Sequence, residues 1–292
     1  MKRILSVAAR AFTHHGEKGG GNPVTVFLNE ESLSLPNREY LAKSCNWESV
    51  VVSLANQSLP KLYFYMPSGE EVSYCAHAAM GASFVISKTW GGSSSVHFIT
   101  AEGVENTAFI DGNEVRLGME KEHSEMEVDK SIVNLLLHQI NLQEDDIIAD
   151  LPIINSSVAR YKTLVPIRMD KLHRATDPHH ADSFRDLCDS IQSTGLYIYS
   201  PHEIGSNSFE ARQFPRASGY PEDPATGIAA AALSATINKR ISEMRDFTIF
   251  QGRAMGKPSR IGVRLCESKI LCSGNVEIDV EKILTLSKVV SI

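Results

Sequence analysis

Nowhere in its 292 residues does the chain hold an apolar run approaching the roughly 20 residues a membrane-spanning helix requires. A helical membrane protein is therefore not expected. Cysteine is scarce: Cys45, Cys75, Cys188, Cys266 and Cys272 are five in all, an odd number with no paired Cys-x-x-Cys spacing. That argues against a disulfide framework and against a structural zinc site. No basic block is present. Lys and Arg total 29 against 35 Asp and Glu, a net charge of −6, with a pI near 5.9. Nothing in that balance neutralises phosphates, so no nucleic-acid partner is expected. The opening Met1-Lys2-Arg3-Ile4-Leu5-Ser6 is interrupted by Arg10 and makes a poor secretory core. Together these absences place the chain in the cytoplasm, reduced and away from membranes. What is present is ordinary globular material, 42% hydrophobic and 22% charged. At roughly 150 residues per domain the length implies about two domains.

Short β-like runs recur along the whole chain, at 4–8, 24–28, 50–54, 62–66, 97–100, 107–110 and 114–117, then at 161–166, 195–199, 208–214, 247–251, 260–266 and 276–280. Asp111-Gly112-Asn113 carries a hairpin signal, because Asp-Gly accepts the positive φ of tight turns. Helices are expected over 36–45, 77–88, 129–139, 181–190 and 226–239. Strands that cluster, rather than alternating strictly with helices, indicate an α+β fold. The polar Glu- and Met-rich stretch 118–129 is the natural linker. It divides the chain into 1–120 and 121–292, with the last strand free to return to the N-terminal half.

An internal echo runs across that division. Tyr65-Met66-Pro67 and Gln213-Phe214-Pro215 each close a strand, and eight residues after each proline stand Cys75 and Asp223. Small-residue helices follow both, with Ala76, Ala78, Ala79, Gly81 and Ala82 in one and Ala229 to Ala232 and Ala235 in the other. The pattern reads as a duplicated unit, against the plainer alternative that Ala-rich helices are common.

The starts of these helices are the natural anion sites, since free backbone N–H groups and the helix dipole both favour negative charge. Asp223 reads either as an N-cap carboxylate or as a site residue. His77 at a helix start is kept uncharged by the dipole and is suited to hydrogen-bond donation. Cys75 reads either as an inert pocket wall or as an activated thiolate. Glu48, between Trp47 and the apolar Val50-Val51-Val52, is expected to be partly desolvated, the setting of a general acid/base; the plain reading is an exposed loop carboxylate. Gly19-Gly20-Gly21-Asn22-Pro23 matches neither GxGxxG nor GxxxxGK[ST], which leaves nucleotide binding without support. His173, His179 and His180 near Asp177 and Asp182 fit no metal template and read as a solvated loop.

In order along the chain come Gly21-Asn22-Pro23, Asn46-Trp47-Glu48-Ser49 and Cys75-Ala76-His77-Ala78. They are followed by Arg212-x-Phe214-x6-Tyr220-x-Glu222-Asp223-Pro224-Ala225-Thr226-Gly227, Gln251-Gly252-x-x-Met255-Gly256-x-Pro258-Ser259 and Ser273-Gly274-Asn275-Val276. This series resembles the phenazine-biosynthesis PhzF-like family, relatives of diaminopimelate epimerase. The resemblance implies two similar β-barrel-like domains, each wrapped round a central helix, related by a pseudo-two-fold axis with the site in the cleft between them. It implies a homodimer and a cofactor-independent, metal-free isomerase that shifts a proton on a small carboxylate-bearing metabolite. In that role Glu48 is the general acid/base and His77 and Asp223 are flanking catalytic residues. Asn22, Cys75, Ala76, Thr226 and Gly227 lie where the substrate binds. Three departures stand out. Ala76 precedes His77 where the family usually has Gly, Trp47 is bulky beside the acid, and Asp223-Pro224 leaves no second thiol. The alternative reading is a non-catalytic small-molecule-binding or interaction protein that retains the isomerase fold.

Overall fold

The computed structural model of the chain describes residues 2–29, 32–54, 59–120, 122–241 and 245–286. Met1 and Lys121, which figured in the sequence reading, lie outside these. The chain divides into two compact units: residues 1–15, 21–118 and 273–292 form the first, and residues 16–20 and 119–272 the second.

In the first unit the elements are β1 (Lys2–Thr13), β2 (Asn22–Asn29), α1 (Leu35–Lys43), β3 (Ser49–Ser53), β4 (Lys61–Tyr65), β5 (Glu71–Val72), α2 (Ala76–Thr89), β6 (Ser95–Thr100), β7 (Glu105–Asp111) and β8 (Glu114–Glu120). The pairings alternate: β1–β2 antiparallel, β2–β3 parallel, β3–β4 antiparallel, β4–β6 parallel, β6–β7 antiparallel. The parallel steps are the ones that carry a helix, as crossovers require. The β7–β8 hairpin sits where the sequence signal placed it, but Asp111 pairs with Glu114, so the turn is Gly112-Asn113 with the glycine first, at φ 60°.

The second unit adds β9 (Ser124–Met126), α3 (Lys130–Gln139), β10 (Ile154–Ser157), β11 (Lys162–Pro166), α4 (Met169–Leu172), α5 (Ala181–Ser190), β12 (Gly195–Pro201), β13 (Ser208–Pro215), α6 (Gly227–Arg240), β14 (Asp246–Gln251) and β15 (Ser259–Leu265). Its pairings repeat the series: β10–β11 antiparallel, β11–β12 parallel, β12–β13 antiparallel, β13–β14 parallel, β14–β15 antiparallel. A shared order of five pairings, with helices at the same two crossovers, gives the sequence echo a structural counterpart. The final strand, β16 (Lys269–Leu286), starts in the second unit and continues in the first, where it pairs with β1 from Thr13↔Asn275 to Lys2↔Leu286.

Each unit buries one small-residue helix. Both α2 and α6 have 14 residues, and α2 is buried at every position from Ala76 to Ser87. A helix apolar on all sides belongs inside a core rather than on a surface. Small side chains make the fit. A Cβ at Gly81 would stand 2.6 Å from Val24 Cγ1, so only glycine lets α2 approach β2 this closely. The polar groups of α6 turn inward onto strand partners: Thr236 Oγ1 donates to Ser156 Oγ at 2.7 Å, and Ser156 Oγ to Ala232 O at 3.2 Å. Outside α6, α3 and α5 close a second core around Leu136, Phe184, Leu196, Ile198 and Phe214.

Two expectations are corrected. The stretch 118–129 is no open linker: β8 runs on to Glu120, and β9 pairs with β10 through Asn155↔Met126. Residues 16–20 group with the second unit, because Gly20 is packed on the Pro258 backbone so tightly that a Cβ would overlap it. The histidine stretch 173–180 is the exposed loop expected of it, between α4 and α5, with His173, His179 and His180 all exposed. Among the described residues no helix is long and apolar enough to cross a membrane.

Candidate active site

The first unit builds its candidate site where β3 begins and α2 starts. The apolar run 50–52 makes β3 an interior strand, buried throughout, and this carries Glu48 inside with it, to 6% exposure. The exposed-loop reading of Glu48 does not hold. Its main-chain carbonyl accepts from Thr25 N at 3.2 Å, fixing the residue to β2. Trp47 donates from Nε1 to Thr25 Oγ1 at 2.9 Å. His77, the second residue of α2, is 8% exposed and places Nε2 3.9 Å from Glu48 Oε2. That exceeds a hydrogen bond. Burial pushes the imidazole pKa down, against opposing contributions from the Glu48 charge and the Pro23 backbone, so His77 is neutral at neutral pH.

Cys75 caps α2 in an extended conformation (φ −139°, ψ 108°), and its side chain makes no capping bond. Its Sγ lies 3.4 Å from His77 Nδ1. Ala76 is the first helical residue and is nearly buried. Asn22 opens β2 opposite Ala11, buried beside the Pro23 that touches His77. Thus Glu48, His77 and Cys75 converge, with Asn22 and Ala76 next to them in the chain segments that hold them.

The second unit builds a different kind of helix start. Its N-cap is Thr226 (φ −125°, ψ 88°), without a side-chain capping bond. The N-cap reading of Asp223 is therefore overturned. Asp223 stands three residues earlier, in an isolated bridge to Gln213, where its N–H donates to Gln213 O at 3.0 Å. Its Oδ2 accepts from Thr226 Oγ1 at 2.6 Å. Gln251, at the end of β14, ties this loop together. Its Nε2 donates to Asp223 O at 2.6 Å, and its Oε1 accepts from Thr226 N and from Tyr197 OH, each at 3.2 Å. Next to it Gly252 adopts φ 79°, and a Cβ there would sit 2.7 Å from Pro224 O, so the Gln-Gly pair is required for close approach to the Asp223-Pro224 turn. Gly227 is the first residue of α6 and is buried. Asp223, Thr226 and Gly227 therefore form one group.

Glu222 is already committed to another partner. Arg212 Nε and Nη2 donate to its two oxygens at 2.9 and 2.6 Å, and Arg212 Nη1 donates to Leu172 O and Ala175 O. A buried bidentate pair of this kind orients the turn rather than moving protons. Sequence reasoning had quoted Arg212, Glu222 and Gln251 as motif residues without a role for them. Tyr197 carried no signal at all, since an aromatic in an apolar strand reads as core.

The family model described as phenazine biosynthesis-like protein, PhzC-PhzF, matches residues 9–278. The chain belongs to that family. Among curated relatives, an uncharacterized isomerase of Deinococcus radiodurans is 26% identical over 290 residues, covering 91% of this chain and 87% of its own. The uncharacterized isomerase YddE of Salmonella typhimurium is 26% identical over 264 residues, 87% of each chain. Among solved structures, the PhzF-family protein of Bacillus anthracis superposes with a TM-score of 0.83 at 20% identity, covering 98% of this chain and all of that one (100%). A hydroxyproline epimerase from Agrobacterium vitis gives 0.59 at 11% identity, over 97% and 91% of the two chains. These likenesses establish a PhzF-like fold, shared in outline with the hydroxyproline epimerase structure.

Proposed function

We propose that this PhzF-family chain is an isomerase that moves a proton on a small carboxylate-bearing metabolite without a cofactor, with Glu48 as the general acid/base. The observation that carries this reading is the buried Glu48 beside a neutral His77 at the start of α2. The naming of its curated relatives as isomerases supports it. In this reading each unit is a β-barrel-like sheet round its own helix, α2 or α6, and the repeated pairing order supports that description.

The chemistry follows from the groups present. Glu48 takes a proton from carbon next to the substrate's activating group, and the electron pair of the broken C–H bond moves into an enolate-like system. Neutral His77 donates a hydrogen bond to the oxygen that gains charge. The proton then returns to carbon at the same or a neighbouring position. Asp223, held by Thr226, is the second polar group serving the substrate, with the first N–H groups of α6 beside Gly227 as carboxylate donors. The family resemblance extends this to a homodimer in the cytoplasm.

Proton NMR of amino-acid and hydroxy-acid panels in D₂O provides the test. The wild-type protein is expected to wash deuterium into one carbon position of its substrate, and Glu48→Gln to stop this while melting at the wild-type temperature. Undiminished exchange in Glu48→Gln would rule the assignment out.

A further inference from the structure

In the second unit a lysine is buried where a lysine is costly. Lys162, the first residue of β11, is 6% exposed, the same as Glu48 and close to Asp223 at 9%. An ammonium has three N–H donors. Among the described residues its Nζ makes one hydrogen bond, to Thr194 O at 3.2 Å, and no ion pair. Close by lies a second unsatisfied group. Gln213 is 1% exposed, and neither atom of its side-chain amide has a hydrogen-bond partner among the described residues. Buried polar groups are nearly always paired, and an exception requires an explanation.

The sheet register brings the two together. Thr163 pairs with Leu196 and Leu164 with Tyr197, so Lys162 lies beside Gly195; Tyr197 in turn pairs with Gln213. Alternation along strands puts Lys162, Gly195, Tyr197 and Gln213 on one face. It is the face of the α6 start, because Tyr197 OH donates to the same Gln251 oxygen that accepts from Thr226 N. Position 195 between them has to be glycine. At φ 146° a Cβ would stand 2.5 Å from Gln213 Nε2 and 2.5 Å from Phe214 O. With no side chain there, the buried amide of Gln213 packs over Gly195, next to the lysine in the register. Asp223 raises the Lys162 pKa through its charge and is itself bridged to Gln213.

We infer that Lys162 is a substrate-binding residue whose ammonium, together with the amide N–H of Gln213, receives the carboxylate of the substrate. This rests on the isomerase reading and deepens it. A carboxylate brought next to Asp223 in a chain of net charge −6 needs a cation there. Arg212 is already committed to Glu222, whereas Lys162 has donors to spare. Burial, and the charge of Arg160 after it, hold the lysine pKa down to about 8, against the opposing pull of Asp223 and Cys188. The amine is still mostly protonated at neutral pH, and a bound carboxylate stabilises that form further.

The test uses the whole protein with lysine labelled at Cε with ¹³C, titrated with acetate, lactate and benzoate and with the amide of each as the uncharged control. The Lys162 signal, assigned by its loss in Lys162→Met, is expected to shift with the acids and not with their amides. Affinity for the acids should fall about tenfold or more in Lys162→Met, the scale of a charge-assisted hydrogen bond, while the weak affinity for the amides stays put. Gln213→Leu should show a smaller loss of the same kind. Acid binding of unchanged affinity in Lys162→Met would overturn the inference and leave the isomerase reading standing. Acids that bind the wild-type protein without moving the Lys162 signal would overturn it too, a readout that needs no variant to fold. If no acid binds the wild-type protein, the inference falls, and the Glu48 exchange experiment then decides separately whether the isomerase reading falls with it.

Discussion

The starts of α2 and α6 are two versions of one device. Both helices have 14 residues, both follow an N-cap, Cys75 or Thr226, whose side chain makes no capping bond, and both are enclosed by their own unit. Around that common backbone the side chains differ. At α2 the groups touch loosely, His77 3.9 Å from Glu48 and 3.4 Å from the Cys75 sulfur. At α6 they are drawn tight, with 2.6 Å from Thr226 to Asp223 and 2.6 Å from Gln251 to the Asp223 carbonyl. Short hydrogen bonds of this kind fix a group in place. In the proposed reading the duplicated scaffold carries a proton-moving end at α2 and a holding end at α6.

That contrast can be broken at several points. The largest effect is expected from Glu48→Gln, which removes the base at the loose end: deuterium exchange should drop by roughly 10²–10⁴-fold, the usual worth of a positioned acid or base, with the melting temperature preserved. At the tight end the balance reverses. Arg212→Met leaves Glu222 buried and unpaired and should cost about 3–5 kcal/mol of stability, read by denaturant unfolding.

Lys162→Met sharpens the comparison through pH. The folded protein holds this lysine near 8, below its ordinary 10.5, so below pH 8 the native state carries a buried ammonium that the unfolded chain carries in water. Wild-type stability therefore falls as pH drops from about 10.5 to 8. The variant lacks this slope and should gain roughly 3 kcal/mol relative to wild type at pH 7, a gain absent above pH 10.5. Parallel melting curves across that range check it. Gly81→Ala should destabilise the first unit by about 1–3 kcal/mol by driving α2 off Val24, without altering the second. The smallest effect belongs to Cys75→Ser, where exchange by the wild-type mechanism should persist, since the thiol walls the site without taking the proton.

Much of this was legible in the residues. Most strands, both buried helices and the duplication itself follow from apolar runs, small-residue stretches and two strand-closing prolines. Glu48 was legible because a buried strand begins one residue later and takes its neighbour inside. What misled was spacing. Eight residues after each proline pairs Cys75 with Asp223, yet in the structure the counterpart of Cys75 is Thr226. The second loop is three residues longer, because Asp223 turns back to bridge Gln213 before the helix begins. Linear spacing contains no sign of that bridge.

Lys162 and Gln213 were invisible for a related reason. Each sits in a strand where a polar residue ordinarily faces water, and only the register through Gly195 reveals that both face inward. The stretch 118–129 hid two strand segments behind a polar composition, because β9 is a short edge strand, half-buried to exposed, that needs no apolar alternation.

The central claim is that Glu48, and not the tighter group around Asp223, moves the proton. It is tested most directly by exchange in Glu48→Ala with formate added back. The account predicts that exchange disappears in the variant and returns in proportion to formate, a small carboxylate able to enter the space the side chain vacates. Wild-type exchange in Glu48→Ala without formate would contradict it.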